Sequence, residues 1–370
     1  METEVQGPRV VVVADRSGDR LPAGTAEAVA QGWAQAAPHA RVEAHALHDG
    51  GAGFAGVVAE RATSTGWHVA THPVLVPDPT GREVPAAITL VSGPAGETAY
   101  LDLAQVVGRH LLDPARLADP DGLSSAGAGE LLRQARGLGV RRLVVGAGPA
   151  ASHDGGSGLL EVLGAGPDLE GLARVREEWA EVSLVLATTT EASLLGFHGA
   201  SASLGELGVA PEITQRLETE MGRLSDRVNA VLPPPRDLLT GLPRRPERAS
   251  GAGVAGGIGY ALQLLGARTD TGARLLLEEF GVGERLAGAL VVLVTDAYDS
   301  TTVHEGVVAD TARAASELAA PTVVLAREVA VGRREGMSLG VSGSYGLRPG
   351  EDLDGLAGRV ARTWTPAPRG

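Results

Sequence analysis

The hydrophobic pattern of this chain alternates short aliphatic runs with segments of helical spacing. Residues 9–14 (RVVVVA) form a continuous apolar run, as in a strand buried in a parallel sheet. Residues 25–37 then have helical spacing, and 41–47 alternate as a strand does. Similar aliphatic runs return at 140–146, 182–187, 290–295 and 321–326. The last two flank a helical stretch at 307–318, and this alternation predicts an α/β protein.

One segment interrupts the alternation. Pro233–Ser250 is rich in proline and arginine and has no sustained periodicity, which predicts an exposed loop. The whole chain, at 370 residues, exceeds the size of a typical single core. Two domains are therefore expected.

Composition excludes several kinds of chemistry. The 32 basic residues are all arginine, against 45 acidic residues, so the net charge of −13 disfavours binding to nucleic acid or to an anionic membrane. Without lysine there is no Schiff base and no Walker P-loop, and without cysteine there is no thiol nucleophile or cysteine metal site. The N-terminus lacks the pattern of a signal peptide and no long apolar run occurs, so we expect a cytoplasmic protein.

Glycine is concentrated in four places, 48–53, 124–130, 146–158 and 251–259. A glycine-rich turn that leads into a helix can offer several N–H groups to an anion. Two of the clusters have this order, because 124–130 precedes a helical pattern at 131–138 and 146–158 precedes another at 159–163. They predict phosphate or carboxylate binding, with tight turns in a glycine-rich protein as the alternative.

The GxGxxG match at Gly251–Gly256 lacks the preceding strand that a dinucleotide site needs. Close helix packing, or a backbone wall for a ligand, is the favoured interpretation there. The two His-Asp pairs, His48-Asp49 and His153-Asp154, could bind a metal, but we favour turn or polar-site carboxylates. Asp154 lies inside the candidate anion-binding segment 146–158. There its carboxylate would accept the proton of a substrate hydroxyl or hold Mg²⁺.

Taken in order, these clusters resemble the bacterial glycerate kinase family, of the glycerate 2-kinase type. Residues 146–158 (GAGPAASHDGGSG) resemble that family's Gly-x-Gly-Gly-Ser-Ala-Thr-Asn-Asp-Gly-Gly-x-Gly segment, with Asp154 on its aspartate. Residues 124–130 resemble Thr-Ser-Tyr-Gly-x-Gly-Glu, and 251–259 resemble Gly-x-Gly-Ala-Ala-Gly-Gly-x-Gly. The resemblance covers nearly the whole chain.

Departures from the family pattern concern charge. The opening Pro-Asp-Ser-Phe-Lys-Gly-Ser is replaced by 15–20 (DRSGDR), which keeps an aspartate and loses the lysine. His153 stands where the family has asparagine, and 189–192 lack a family carboxylate. Phosphoryl transfer depends on cations around the transferring group, and Arg16 and Arg20 are candidates to replace the lost lysine.

The resemblance implies an ATP- and Mg²⁺-dependent kinase of glycerate or a similar small organic hydroxy acid, with activity reduced or lost as a further option. The alternative is a non-catalytic ligand-binding or regulatory paralogue on the same fold. It also implies a two-domain glycerate kinase-like α/β fold, with a discontinuous Rossmann-like domain (1–70 and 285–370) and an inserted α/β domain (71–284). The site would lie in the cleft between them, and the oligomeric state is left open.

Asp154, Asp49 and Asp299 are the catalytic residues that this resemblance implies, and Asp15 and Asp49 are the candidate Mg²⁺ ligands. The candidate substrate- and phosphate-binding residues are Ser124, Gly127, Gly129, Gly146, Gly148, Ser152, His153, Gly155, Gly156, Gly251, Gly253, Gly256, Gly257 and Arg20.

Overall fold

The computed structural model describes residues 7–94, 96–236 and 239–367, and the backbone alone at Glu206. It is a two-domain α/β protein. Unit 1 joins the residues up to Asp49 with those from Gly272 onward, and unit 2 runs from Gly50 to Thr271. The first domain is thus discontinuous in sequence, and the second is inserted into it.

Eleven strands are present in the described residues: β1 (Arg9–Ala14), β2 (Arg41–Ala46), β3 (His68–Pro77), β4 (Glu83–Gly93), β5 (Gly96–Asp102), β6 (Arg142–Ala147), β7 (Ser183–Thr188), β8 (Arg268–Thr271), β9 (Leu290–Tyr298), β10 (Thr322–Val329) and β11 (Val341–Gly346). The α-helices there are α1 (Pro22–Ala36), α2 (Phe54–Ser64), α3 (Ala104–Val107), α4 (Pro114–Leu117), α5 (Ala126–Gly137), α6 (Ser157–Val162), α7 (Leu172–Trp179), α8 (Pro211–Val231), α9 (Val254–Leu264), α10 (Gly272–Glu279), α11 (Val282–Arg285), α12 (Gly306–Glu317), α13 (Arg333–Ser338) and α14 (Leu353–Trp364). Short 3₁₀ helices cover Arg109–Leu111, Ala200–Leu207 and Pro246–Arg248.

Unit 1 contains a five-stranded parallel sheet in the order β11-β10-β9-β1-β2. The interior strand β1, between β9 and β2, carries four consecutive buried valines at 10–13, as expected of a strand whose two faces are both covered. Val10 and Val12 belong to a core cluster with residues of α1 and α14. Within that cluster the Trp33 Nε1–H donates to Thr365 Oγ1 at 3.1 Å, which satisfies the one polar group of a fully buried indole.

Unit 2 contains a six-stranded mixed sheet in the order β3-β4-β5-β6-β7-β8. Strands β5 to β8 are parallel, whereas β3, β4 and β5 pair antiparallel. The strands predicted by the aliphatic runs in both units are confirmed. The antiparallel β3–β4 pair is an addition. Residues of β3 are exposed or partly buried except for Val76, so this strand does not have the continuous apolar run of a buried parallel strand.

The unit boundaries differ from the positions near 70 and 285 that the sequence suggested. In the structure the first change of unit lies between Asp49 and Gly50, because α2 packs against β3, β4 and β5 of the second sheet. The second lies between Thr271 and Gly272, because α10 packs against α12 of unit 1. Helical periodicity shows that a helix has an apolar face but not which sheet covers it.

Helix α5 approaches β3 closely at Gly127. An alanine Cβ there would overlap with the carbonyl oxygen of Pro77, a backbone atom at the end of β3. Gly137, the last residue of the same helix, has open space around its Cβ position. A substitution at Gly127 therefore tests a packing constraint, whereas the same substitution at Gly137 tests helix propensity alone.

We predict that Gly127→Ala lowers the stability of unit 2 by about 2 kcal/mol, the usual cost of overpacking, and lowers the melting temperature. Gly137→Ala is the matched control, and we expect it to be neutral or to stabilise by up to about 1 kcal/mol. Thermal unfolding followed by circular dichroism measures both. Equal melting temperatures for the two variants would contradict this account of Gly127.

Candidate active site

The centre of the candidate site is Asp154, in the loop between β6 and α6. Its Oδ2 accepts hydrogen bonds from Ser125 N at 2.8 Å, Ser125 Oγ at 2.9 Å and Gly158 N at 3.1 Å. Its Oδ1 accepts one, from Gly156 N at 3.0 Å. The carboxylate therefore joins the N-terminus of α5 to that of α6, and Oδ1 has the greater remaining capacity to accept.

Burial raises the pKa of the Asp154 carboxyl above its ordinary value, and the hydrogen bonds from Ser125, Gly158 and Gly156 act in the opposite direction. Desolvation disfavours the charged form, while donors directed at the carboxylate stabilise it. The raised pKa makes this group a stronger proton acceptor than an exposed aspartate.

Ser125 is the residue at this site that the sequence did not single out. It is the N-cap of α5 and is fully buried. Its hydroxyl donates to Asp154 and accepts from Leu159 N at 2.9 Å. Its neighbour Ser124, which was singled out, accepts from Ala126 N at 3.1 Å. A serine before a helical pattern signals a cap, but its partner lies 29 residues away and leaves no local signal.

His153 lies on the other side of the loop, where its Nε2 is 3.0 Å from Ser201 Oγ. Burial, with the nearby charge of Arg109, lowers the pKa of His153 to about 4. Arg109 also donates from Nε to the carbonyl oxygen of Ala150, at 3.3 Å. An arginine thus lies beside the 146–158 loop, as phosphate chemistry would need, although neither Arg16 nor Arg20 is that residue.

A cavity of about 370 Å³ opens beside His153 and Asp154 within unit 2. Its walls are the 120–123 loop, the start of α6 and one face of α8. The lining residues are Pro120, Asp121, Gly122, Leu123, His153, Asp154, Ser157, Leu217, Glu220, Met221, Arg223, Leu224 and Arg227. The volume lies at the lower end of the range for small-molecule sites.

The two glycine clusters at 146–158 and 251–259 pack backbone against backbone. Gly155 N donates to Gly256 O at 3.0 Å, and a Cβ on Gly256 would overlap with the carbonyl of Ser152. Gly256 and Gly257 have φ of +63° and +94°, which favours glycine. A Cβ on Gly156 would overlap with Ala261 Cβ and lie 3.1 Å from Gly257 O.

Other glycines of the predicted set also permit close packing. A Cβ on Gly146 would lie 2.8 Å from Gly50 O, and one on Gly148 would lie 3.0 Å from Gly51 Cα. The absence of side chains at these two glycines leaves room for the loop at 50–53. Asp102 also holds this loop, because its Oδ2 accepts a hydrogen bond from Gly53 N at 2.6 Å.

On α5 and around α9 the pattern is the same. A Cβ on Gly129 would lie 2.7 Å from Leu159 O, and one on Gly251 would lie 2.9 Å from Thr269 Cγ2. Gly253 faces the carbonyl of Ser193. Close packing accounts for these glycines, and their part in anion binding stays a prediction.

The candidate metal ligands belong to unit 1, where β1 and β2 end side by side. Burial and the negative charge of Asp49 raise the pKa of Asp15 to about 6, against the opposing effects of Arg16 and His48. His48 Nδ1 lies 3.1 Å from Asp49 Oδ1. Across the described ranges no three His, Asp or Glu side chains are grouped to hold a metal ion.

The last two predicted residues lie elsewhere in unit 1. Asp299 Oδ1 accepts from Thr301 N and Thr302 N, both at 3.0 Å, and these bonds lower the pKa of its carboxyl. It therefore closes the turn after β9. Arg20 lies 4.0 Å from an Asp354 carboxylate oxygen, with about half of its side chain exposed.

No described helix combines the length and hydropathy that crossing a membrane requires.

The chain belongs to the glycerate kinase family, whose model matches residues 10–353. It is 32% identical over 343 residues to an uncharacterized protein of Mycobacterium bovis, covering 92% of this chain and 84% of that one. It is 26% identical to the glycerate kinase of Bacillus subtilis, covering 92% and 91%. It is also similar to the crystal structure assigned as glycerate kinase 2 of Salmonella typhimurium LT2, with a TM-score of 0.71, 25% identity and coverage of 96% and 97%.

We predict that His153 makes the protein acid-labile. Its pKa is about 4 in the folded chain against an ordinary 6.5, so the unfolded chain binds the extra proton first and stability falls as the pH drops from about 6.5 towards 4. Between pH 7 and pH 5 the loss from this residue is about 2 kcal/mol.

His153→Asn removes the titration while keeping a polar side chain. We expect the slope of melting temperature against pH to be shallower in the variant over this range, whatever its stability at pH 7. Asp154 titrates in both proteins, so its effect is common to the two curves. Parallel curves would show that His153 is not the cause.

Proposed function

We propose that the protein is an ATP-dependent kinase that phosphorylates a hydroxyl group of glycerate or a similar small hydroxy acid. Membership of the glycerate kinase family supports phosphoryl transfer to such an alcohol. The observation on which the proposal rests is Asp154, a buried carboxylate held by four hydrogen bonds at the edge of a small cavity.

In this reaction the substrate hydroxyl oxygen forms a bond to the γ-phosphorus of ATP, and the bond between that phosphorus and the bridging oxygen breaks to release ADP. The hydroxyl proton passes to Asp154 Oδ1, which has one donor in the structure where Oδ2 has three. A base that is already fixed loses no orientational freedom at the moment of transfer. Ser125 acts as a positioning residue, because it donates twice to the same carboxylate.

Asp15 and Asp49 have the chemistry that Mg²⁺ requires. Burial and the negative charge of Asp49 raise the pKa of Asp15, and a divalent cation relieves the repulsion between the two carboxylates. Mg²⁺ is usually bound by one or two carboxylates together with phosphate oxygens, so two protein ligands are sufficient. When bound, Mg²⁺ neutralises charge on the phosphate groups of the nucleotide.

One observation favours a second candidate, a non-catalytic ligand-binding protein on the same fold. The chain has no lysine at all, and positive charge near a transferring phosphoryl group is a large part of this catalysis. Arginine binds phosphate well but as a rigid fork, which does not reproduce the compact charge of an ammonium group. Such a protein would be stabilised by its ligand without forming product.

Release of ADP in a coupled assay with D-glycerate, ATP and Mg²⁺ tests the kinase. We predict turnover by the wild-type protein and a loss of about 10²–10⁴-fold in kcat for Asp154→Asn, the usual range for removal of a general base. Asp168→Asn is the control, since it removes the same charge from an exposed position of unit 2.

Circular dichroism and melting temperature establish that the Asp154→Asn protein is folded before its rate is compared. A folded wild-type protein without ADP release would contradict the kinase. A melting temperature that rises with ATP or D-glycerate would then support the binding protein.

A further inference from the structure

Two arginines of α8 place positive charge at the wall of the cavity. Arg223 and Arg227 are four residues apart, so they lie on one face of the helix, and both line the cavity. Both are exposed. Within the described ranges neither has a hydrogen bond or an ion pair with another side chain.

Acidic groups of the same cavity are already engaged. Arg216 donates to both carboxylate oxygens of Asp121, at 2.6 and 2.7 Å, and to Glu220 Oε1 at 3.2 Å. Asp154 accepts its four hydrogen bonds from the chain itself. The charges of Arg223 and Arg227 are therefore the ones left for a ligand.

We propose that Arg223 and Arg227 bind the carboxylate of the acid substrate, with its hydroxyl directed to Asp154 Oδ1. This rests on the proposed function and assigns its specificity-determining residues. A guanidinium fork pairs with a carboxylate through two parallel hydrogen bonds, which fixes orientation as well as charge.

Size and lining favour a small acid over a nucleotide in this cavity. Its volume of about 370 Å³ is at the low end for ligand sites. Its lining includes one proton acceptor, Asp154, and two cations, Arg223 and Arg227. Leu217, Met221 and Leu224 of α8 supply an apolar wall for a short carbon chain. Arginine thus provides, on α8, a cationic group for the acid in a chain that has no lysine.

Steady-state kinetics of Arg223→Gln, Arg227→Gln and the double variant test the assignment. Loss of a charged hydrogen bond costs about ten-fold to a hundred-fold in affinity, so we expect the KM for D-glycerate to rise by that factor per substitution. The KM for ATP should stay unchanged. Arg176→Gln is the matched control, because it removes an exposed arginine of unit 2 that does not line the cavity.

Melting temperature with D-glycerate alone gives a readout that needs no turnover. We expect D-glycerate to raise the melting temperature of the wild type and of Arg176→Gln, and not that of the double variant. If D-glycerate stabilises these proteins as expected while the wild type forms no ADP, the proposed kinase activity is contradicted. The proposed carboxylate-binding site is then still supported.

Three results would overturn the assignment. The first is an active wild type whose double variant keeps the KM for D-glycerate. The second is a rise in the KM for ATP instead, which would place nucleotide phosphates on these arginines. The third is a wild type whose melting temperature D-glycerate does not change.

Discussion

The buried carboxylate of Asp154 is the constraint on which the candidate site depends. It accepts hydrogen bonds from backbone N–H groups at the N-terminal ends of two helices, α5 and α6, and from the side chain of Ser125. Buried N–H groups are costly when unpaired, so removing this acceptor would leave several donors without a partner. One charge therefore holds two loops in place and remains at the edge of a cavity, where it can take part in chemistry.

Glycine makes this arrangement possible by letting backbones meet. At Gly256 and at Gly127 a side chain would overlap with a carbonyl oxygen of a neighbouring segment. The glycine-rich segments are thus a packing device first, and any N–H groups that they offer to an anion are positioned by that packing. The same reasoning explains how a family motif is retained in a chain that has lost its lysines.

Arginines of unit 2 that the family pattern did not single out lie next to Asp154. The sequence directed attention to Arg16 and Arg20 near the N-terminus, and Arg20 lies beside Asp354. In unit 2 the arginines next to the candidate site are Arg109, Arg223 and Arg227, from a 3₁₀ helix and a long α-helix. Since phosphoryl transfer depends on cations, these positions decide what the site can bind.

By itself the sequence determined the α/β class, the buried parallel strands and the loop that contains Asp154. Each is a local pattern, because an unbroken aliphatic run or a glycine turn before a helix is visible within about fifteen residues. Only the tertiary structure decided that Ser125 donates to Asp154 and that α2 packs on the second sheet. Likewise, the sequence of α8 indicates only an amphipathic helix, and the tertiary structure shows that one face of it lines the cavity beside Asp154. Such pairings are set by which surfaces meet, and local periodicity does not encode the partner.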